Sequence, residues 1–342
     1  MDLVLEATSG SVSVKALGSR SLPLGDFSVI GQAMTIGGNI TSSSIAITAP
    51  VTLSSSSIWK ARGGITTSGS IDGPFALTLD GVSSTQGVIT IGGSVGANTR
   101  LSSFIIQNAL QSSLSSVFTN VGLVQITSPL LLNNHTILSS SGGNIELDGV
   151  VNSQVNTHYN LSLAAGVGTI LIGNNVGAVT ALGSFTVNSA QSTLIEGSIL
   201  STLGSTSIYS PLISSIPTLT ITSEAYGSLF ITSYMGTNSG MQNLTLAATQ
   251  NVQIGPMGSS LKPLGTIVIT GSAVTLEGSV YAQGSLSIAN SGELSIEAGD
   301  VSLGGGFSQT SEGSVSLGKN ITANTISFQS PITLSNDSIL RI

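Results

Sequence analysis

The chain of 342 residues contains no cysteine, which excludes disulfides, thiolate metal ligands and cysteine nucleophiles. Charged residues make up only 7% of the sequence, against roughly 25% in an average soluble domain. Eight Lys and Arg face fifteen Asp and Glu, a net charge of −7, so we expect no basic groove and no binding to nucleic acid. No apolar run approaches the ~18 residues of a membrane-spanning helix, so we expect no membrane insertion.

The first residues do not resemble a signal peptide, and neither end of the chain resembles the polar cap of a repeat array. Residues 1–6 have neither a basic n-region nor an apolar h-region, so we expect no signal peptide. This predicts either a cytosolic protein or a piece of a longer exported chain. Both ends read as strand, and neither end resembles a polar cap. We therefore expect either a fragment or a subunit that stacks end to end.

What the sequence does contain is alternation of period two. Aliphatic residues alternate with Ser, Thr and Asn in segments such as Ile45-Ala46-Ile47, Leu77-Thr78-Leu79 and Ile89-Thr90-Ile91. Clusters of Gly, Ser and Asn separate these segments, and no window has a convincing helical period. The pattern predicts an all-β chain of short strands, with apolar side chains on one face and hydroxyl groups on the other.

A longer repeat is superimposed on this alternation. A four-residue phrase appears as Leu24-Gly25-Asp26-Phe27, Leu101-Ser102-Ser103-Phe104, Leu182-Gly183-Ser184-Phe185 and Leu264-Gly265-Thr266-Ile267, at steps of 77, 81 and 82 residues. A second phrase ends in Pro50, Pro129, Pro211 and Pro331. Repeats of this kind indicate a stacked array, because each repeat must bury its apolar face on its neighbours.

Short strands with short turns leave a sandwich, a barrel and a parallel β-solenoid as alternatives, and the repeat favours the solenoid. We predict one array over residues 1–342, with about 16–18 coils of roughly 20 residues and four coils in each super-repeat of about 82 residues. Such a rod would be on the order of 80 Å long. Phe27, Phe104, Phe185 and Ile267 should point inward at equivalent positions, and the four prolines should mark a corner.

Three segments, Asp72-Gly73-Pro74-Phe75-Ala76-Leu77-Thr78-Leu79, Val88-Ile89-Thr90-Ile91-Gly92-Gly93-Ser94-Val95-Gly96 and Pro331-Ile332-Thr333-Leu334, resemble the repeats of large bacterial exoproteins of the filamentous-haemagglutinin and adhesin type. The resemblance covers essentially the whole chain and is one of repeat style. It implies a right-handed parallel β-helix, export from a bacterium to the cell surface or the medium, and a role as a stalk or adhesive filament. The secretion domain and the membrane barrel of that family are not recognisable here.

Few residues suggest chemistry. Glu146 and Asp148 lie two apart on a strand and should share a face, as half of a calcium site or as solvated carboxylates. The other acidic cluster contains Glu293, Glu297 and Asp300, and neither cluster has a basic neighbour in sequence that would complete an acid–base set.

Two further candidates involve ring side chains. His135 and His158, 23 residues apart, are either a two-histidine metal site or two corner imidazoles. Trp59 beside Lys60 and Arg62 is either a site where a glycan stacks or a corner position. We therefore predict no catalytic, metal or cofactor-binding residues and no cofactor.

These observations predict a non-enzymatic extracellular structural rod. The main alternative is a subunit of a surface fibre or sheath that assembles by end-to-end β-stacking, and a third is a carbohydrate-active β-helix enzyme. The expected partners are neighbouring repeats or other copies of the chain, and host or surface glycans.

Overall fold

The computed structural model describes residues 1–83, 85–236 and 241–342. These residues form β-strands and turns and contain no helix, so none of them forms a helix that could cross a membrane. Parallel strands stack as a β-solenoid of about 16 turns with roughly 21 residues per turn, which confirms the predicted fold class. The chain divides into two compact units, Met1–Gly173 and Asn174–Ile342.

The first unit contains nineteen strands in its described residues. They are β1 (Leu3–Val14), β2 (Leu24–Ile36), β3 (Ile40–Ile47), β4 (Val51–Leu53), β5 (Ser57–Ala61), β6 (Ile65–Thr67), β7 (Ile71–Asp72), β8 (Ala76–Asp80), β9 (Val88–Ile91), β10 (Ser103–Gln107), β11 (Gln111–Leu114), β12 (Val117–Thr119), β13 (Val124–Ile126), β14 (Leu130–Leu132), β15 (Thr136–Ser140), β16 (Ile145–Leu147), β17 (Val151–Ser153), β18 (Leu161–Ala164) and β19 (Ile170–Ile172).

The second unit contains twenty strands in its described residues. They are β20 (Phe185–Ser189), β21 (Thr193–Ile195), β22 (Ile199–Thr202), β23 (Thr206–Ser214), β24 (Thr218–Ser223), β25 (Leu229–Gly236), β26 (Asn243–Ala248), β27 (Val252–Ile254), β28 (Ile267–Gly271), β29 (Val274–Leu276), β30 (Val280–Ala282), β31 (Leu286–Asn290), β32 (Leu294–Ile296), β33 (Val301–Leu303), β34 (Gly306–Gln309), β35 (Val315–Leu317), β36 (Ile321–Thr322), β37 (Thr325–Phe328), β38 (Ile332–Leu334) and β39 (Leu340–Arg341).

Three stacks of inward-facing residues form the core of the first unit, one on each side of the coil. Stack A contains Phe27, Ile45, Ile65, Ile89, Ser112, Leu130 and Val151. Stack B contains Ile40, Trp59, Leu79, Ile106, Ile126, Leu147 and Ile172. Stack C contains Met34, Val51, Ile71, Val95, Val117, Leu138 and Leu163. Burying each large aliphatic side chain contributes about 1.5–3 kcal/mol before the entropy cost of ordering the chain.

The second unit has three stacks as well. Stack D contains Phe185, Thr206, Leu229, Val252, Val274, Leu294, Val315 and Ile332. Stack E contains Val176, Leu200, Ile221, Leu246, Ile269, Ile288 and Gln309. Stack F contains Thr193, Leu212, Tyr234, Met257, Val280, Val301, Ile321 and Leu340.

Several buried polar side chains of the second unit have hydrogen-bond partners within the fold. The Thr202 hydroxyl lies 3.0 Å from the hydroxyls of both Thr206 and Ser223. The buried Asn290 amide donates to the Gly292 carbonyl at 2.7 Å and accepts a hydrogen bond from Gln309 Nε2 at 3.1 Å. Each group therefore replaces the hydrogen bonds to water that it loses on burial.

The phenylalanine positions of the repeat are inward, as predicted, but they are not equivalent. Phe27, Phe104, Phe185 and Ile267 are all fully buried. Phe27 lies in stack A, whereas Phe104 pairs with Leu77 and Val124 in the strands of stack B. Phe185 lies in stack D, and Ile267 pairs with Leu244 in the strands of stack E.

The super-repeat does not contain four whole coils, contrary to the prediction. In the first unit, the chain from Phe27 to the next copy of the leucine phrase, at Leu101, crosses eleven sides of the coil. One inward residue marks each side: Phe27, Met34, Ile40, Ile45, Val51, Trp59, Ile65, Ile71, Leu77, Ile89 and Val95. The second unit crosses the same number of sides between its two copies of this phrase, marked by Phe185, Thr193, Leu200, Ile208, Leu212, Ile221, Ile231, Tyr234, Leu246, Ile254 and Met257. Three sides make one turn, so eleven sides are one side short of four whole turns. The second copy of the leucine phrase in each unit therefore lies one side of the coil away from the first copy.

Each phrase follows a loop that leaves the stack and returns to it. The four loops are residues 19–23, 97–100, 178–181 and 259–263, here called the first to fourth loops. A glycine precedes each loop with φ between +66° and +71°: Gly18, Gly96, Gly177 and Gly258. A Cβ at each glycine would collide with a backbone oxygen of the next turn, so only glycine fits.

The loops are excursions within single strands. At the second loop, Val95 pairs with Val117 and Leu101 pairs with Thr119. Five residues thus separate the two paired residues on one strand, and only Phe118 separates their partners on the next strand. In the third loop, Val176 and Leu182 pair in the same way with Leu200 and Thr202. The recurring Leu of each phrase is thus the residue at which the strand resumes.

The four prolines lie at corners of the coil, as predicted. Pro50, Pro129 and Pro331 lie outside strands, directly before β4, β14 and β38. Pro211 lies inside β23, at the register shift between Ile208 and Pro211, where the chain passes from the side of stack D to the side of stack F. This irregularity in the ladder accommodates its missing N–H donor.

Candidate functional site

The strongest candidate site is a groove of about 970 Å³ in the first unit. It extends along the stacking direction from the first loop to the residues that follow β8 and β10. The groove is lined by Ala16, Gly18, Ser19, Arg20, Pro23, Asn39, Thr41, Ser42, Ser43, Lys60, Arg62, Asp80, Val82 and Asn108. The groove spans the stacked strands from Leu17, which pairs with Ile40, to the strand that contains Gln107. These strands are four steps apart, a distance of about 19 Å at 4.8 Å per step.

A column of outward-facing residues forms the floor of this groove. Parallel pairing places Thr41 beside Lys60, Lys60 beside Asp80, and Asp80 beside Gln107. The step from Asp80 to Gln107 is 27 residues, longer than the other two steps. Some of the additional residues directly follow β8, and Val82 among them lines the groove; others form the second loop, 97–100.

Among the described lining residues, Asp80 is the only acidic one, and both of its carboxylate oxygens have partners. Oδ1 accepts hydrogen bonds from the Val82 N–H at 2.8 Å and from Asn108 Nδ2 at 3.1 Å. Oδ2 accepts a hydrogen bond from Gln107 Nε2 at 3.2 Å and lies 3.5 Å from Lys60 Nζ. Burial alone would raise the pKa of Asp80, but these hydrogen bonds and the Lys60 charge outweigh it and lower the pKa.

Two residues of the groove adopt left-handed backbone conformations that are costly outside glycine. Val82 has φ +62° and Asn108 has φ +53°. For a β-branched residue such as Val82 this conformation is a true outlier that costs on the order of 1–3 kcal/mol. Asp80 bonds to both residues and thereby holds them in place.

Three of the eight basic residues of the chain lie in this groove. Lys60 is paired with Asp80, while the exposed Arg20 and Arg62 have no ion-pair partner within the described residues. The expected absence of a basic groove is therefore wrong. The three cations are distant in sequence, and stacking of successive turns brings them together.

Trp59 does not take part in the groove surface. Its side chain is fully buried in stack B, and Nε1 donates to the Ser57 hydroxyl at 2.9 Å. The hypothesis of a glycan stacked on Trp59 is wrong, because strand alternation turns Lys60 outward and Trp59 inward.

Glu146 and Asp148 do share a face, as predicted. The Gln125 side chain of the preceding turn lies between them, with Nε2 at 3.0 Å from Glu146 Oε2 and 3.4 Å from Asp148 Oδ2. An amide donor fills the position that a cation would need. Throughout the described ranges, no three His, Asp or Glu side chains converge as a metal site.

The second acidic cluster is dispersed over separate contacts. Glu297 accepts a hydrogen bond from the Ser316 hydroxyl at 2.6 Å, and Asp300 accepts one from the Asn320 N–H at 3.1 Å. Asp300 also lines a groove of about 300 Å³ that contains Arg341. Glu293 is exposed and does not line that groove.

His135 has partners in the next turn. Its Nδ1 accepts the Asn160 N–H at 3.1 Å, and its ring packs edge-on against Tyr159 at 5.5 Å between centroids. His158 has φ +52°, in keeping with the predicted corner. The Nδ1 lone pair of His135 is thus already used within the fold.

The described lining of the groove combines three cations and one carboxylate with hydroxyl and amide groups. The sequence gives one signal for it, the Lys60–Arg62 pair. Arg20 and Asp80 could be added only once the register of the turns was known.

Comparisons with known proteins found no matching family model, no matching curated protein and no matching solved structure.

Proposed function

We propose that this chain is a structural segment of an exported bacterial surface protein, an adhesin-like stalk or filament segment that acts without catalysis. The observation that supports this most is the unbroken parallel ladder in each unit, with buried side chains stacked turn upon turn. A β-solenoid fold is compatible with a structural rod. Stacked strands resist bending, since each turn is hydrogen-bonded to the next along its length.

Composition supports the same proposal. With 7% charged residues, the chain presents mainly Ser and Thr outside the stacks. Such a surface suits adhesion through many weak hydrogen bonds, and host or surface glycans are its proposed partners. The extracellular location is part of the proposal and follows from the repeat style.

Two measurements test this proposal. Electron microscopy of the purified chain should reveal straight particles whose length, for a single stack, is on the order of 80 Å. Antibodies raised against the chain should label intact cells of the source organism. Bent or jointed particles, or label confined to permeabilised cells, would contradict it. So would polysaccharide cleavage that is lost in Glu146→Gln with Asp148→Asn.

A second candidate is end-to-end assembly, favoured by the parallel ladder itself. Each turn pairs in register with the next, as Val315, Ser316 and Leu317 do with Ile332, Thr333 and Leu334. Strands of another copy with the same repeat pattern could extend such a ladder. Sedimentation should detect open oligomers of the chain, and Leu340→Lys with Ile342→Lys should disperse them. A strictly monomeric wild type at high concentration would exclude this candidate.

A further inference from the structure

We propose that the groove on the first unit is a binding site for an acidic saccharide, recognised through its carboxylate groups by Arg20 and Arg62. Three observations carry the proposal: the concave shape, the cations that the fold leaves unpaired, and the strained backbone beside them. It does not depend on the stalk proposal, since a groove on a solenoid can bind sugars whether or not the chain forms a stalk.

The charge of the groove selects an anion. Arg20, Lys60 and Arg62 contribute three positive charges, against one negative charge from Asp80. Lys60 neutralises Asp80 at 3.5 Å, which leaves the two guanidinium groups for a ligand. Guanidinium groups bind carboxylates through paired, charge-assisted hydrogen bonds.

The remaining lining selects a hydroxylated ligand. Thr41 and Ser43 provide hydroxyl groups along the floor, and Asn108 provides an amide group at one end. These groups can donate to and accept from sugar hydroxyls. Pro23 adds an apolar surface for a pyranose face.

A long phosphate polymer fits the groove less well. The whole chain carries a net charge of −7, which repels a polyanion, and only two guanidinium groups of the groove are left for a ligand. Tight binding to nucleic acid requires many phosphates to be neutralised. A short acidic sugar makes few charge contacts and replaces the others by hydrogen bonds.

Asp80 positions the site without contacting the ligand itself. Its carboxylate fixes Lys60, Asn108 and the Val82 backbone, so the lining is set before a ligand arrives. The left-handed conformations of Val82 and Asn108 are maintained at a cost, a pattern that is common where a surface must keep one shape for binding.

The test is titration calorimetry of the full chain with β-1,4-linked tetraglucuronate and with cellotetraose, which differ only in carboxylate versus hydroxymethyl groups. We expect saturable binding of the acidic tetramer, weakened by added salt, and at least tenfold weaker binding of the neutral one. Arg20→Ala and Arg62→Ala should each reduce the affinity by about tenfold, the equivalent of about 1.4 kcal/mol.

Arg100→Ala is the matched control, because Arg100 is the arginine of the second loop and lies outside the groove. It should leave the affinity unchanged. Thermal unfolding of each variant verifies that the fold is intact.

Three outcomes would overturn the proposal: equal affinity for the two tetramers, no binding of tetraglucuronate at millimolar concentration, or unchanged affinity in both groove variants. Tighter binding of a single-stranded oligonucleotide of matched length would assign the groove to nucleic acid instead. All these results are independent of particle shape and cell-surface labelling, so failure of this proposal is distinguishable from failure of the stalk proposal.

Discussion

The first loop (19–23) and the second loop (97–100) leave the core of the same unit in the same way, after Gly18 at φ +66° and Gly96 at φ +71°. The second loop is tied to its neighbours. The Asp72 carboxylate accepts the N–H groups of Asn98 at 2.9 Å and Thr99 at 3.1 Å. The first loop is closed mainly on itself, with the Ser19 N–H donating to the Leu22 carbonyl at 2.9 Å.

The cations of the two loops differ accordingly. Arg100 donates to the Thr119 carbonyl at 3.0 Å and lies 5.7 Å from the centre of the Phe118 ring. Arg20 lines the groove beside Lys60 and Arg62. The two loops therefore share the glycine at which they begin but differ in the role of their arginine. Arg100 stabilises the fold in the second loop, and Arg20 is left for a ligand in the first.

The largest effect is expected where the two loops are most alike, at the phenylalanine that follows each of them. Phe27 and Phe104 are both fully buried, so Phe27→Ala and Phe104→Ala should each lower the free energy of unfolding by roughly 3–5 kcal/mol. Chemical denaturation measures this, with Leu22→Ala as the control because Leu22 is 78% exposed. A cost below about 1 kcal/mol for either phenylalanine would contradict the buried stacks.

The second effect concerns the glycines that start the loops. Gly18→Ala and Gly96→Ala should each cost roughly 2–4 kcal/mol, because the methyl group collides with the carbonyl of Thr41 or Phe118 and φ is unfavourable. Gly142→Ala is the matched control, since its Cβ would meet only side-chain atoms at 3.4 Å or more. If all three variants were equally stable, the loops would not share the backbone described above.

The sequence predicts the stacks well and the position of the loops around the coil poorly. Alternation in segments such as Ile89-Thr90-Ile91 is enough to assign inward and outward residues. Nothing in that pattern distinguishes stack A from stack B, since both are largely aliphatic. The sequence therefore cannot show that Phe27 and Phe104 lie on different sides of the coil. The groove is hidden for the same reason, because Arg20 and Arg62 line it only through the pairing of Leu17 with Ile40 and the register of β3 with β5.

The third effect tests how the second loop is tied down. Burial alone would raise the pKa of Asp72, but hydrogen bonds from Thr99 and Asn98 outweigh it and lower the pKa. A lowered folded-state pKa stabilises the protein above the unfolded-state pKa of about 3.9, and this contribution is lost as the pH falls through the folded-state value.

Asp72→Asn should therefore cost about 1–2 kcal/mol at neutral pH, because the amide removes a charged acceptor. The difference from wild type should shrink as the pH falls below about 4. Asp80, whose pKa is also lowered, is present in both proteins and cancels in the difference. Denaturation midpoints across this pH range measure the effect, and a difference that is constant with pH would show that the Asp72 charge is not what holds the loop.

The smallest effect separates the two arginines directly. Arg100→Ala removes a hydrogen bond to the Thr119 carbonyl and the contact with the Phe118 ring, so it should lower the free energy of unfolding by about 1 kcal/mol. Arg20→Ala removes an exposed side chain without an ion-pair partner in the described residues, so its effect should stay within about 0.5 kcal/mol. Arg100→Lys should recover only part of the loss, because an ammonium group lacks the planar face that lies over the ring. Equal destabilisation by Arg20→Ala and Arg100→Ala would mean that Arg20 also stabilises the fold. Its guanidinium group would then not be available to a ligand in the groove.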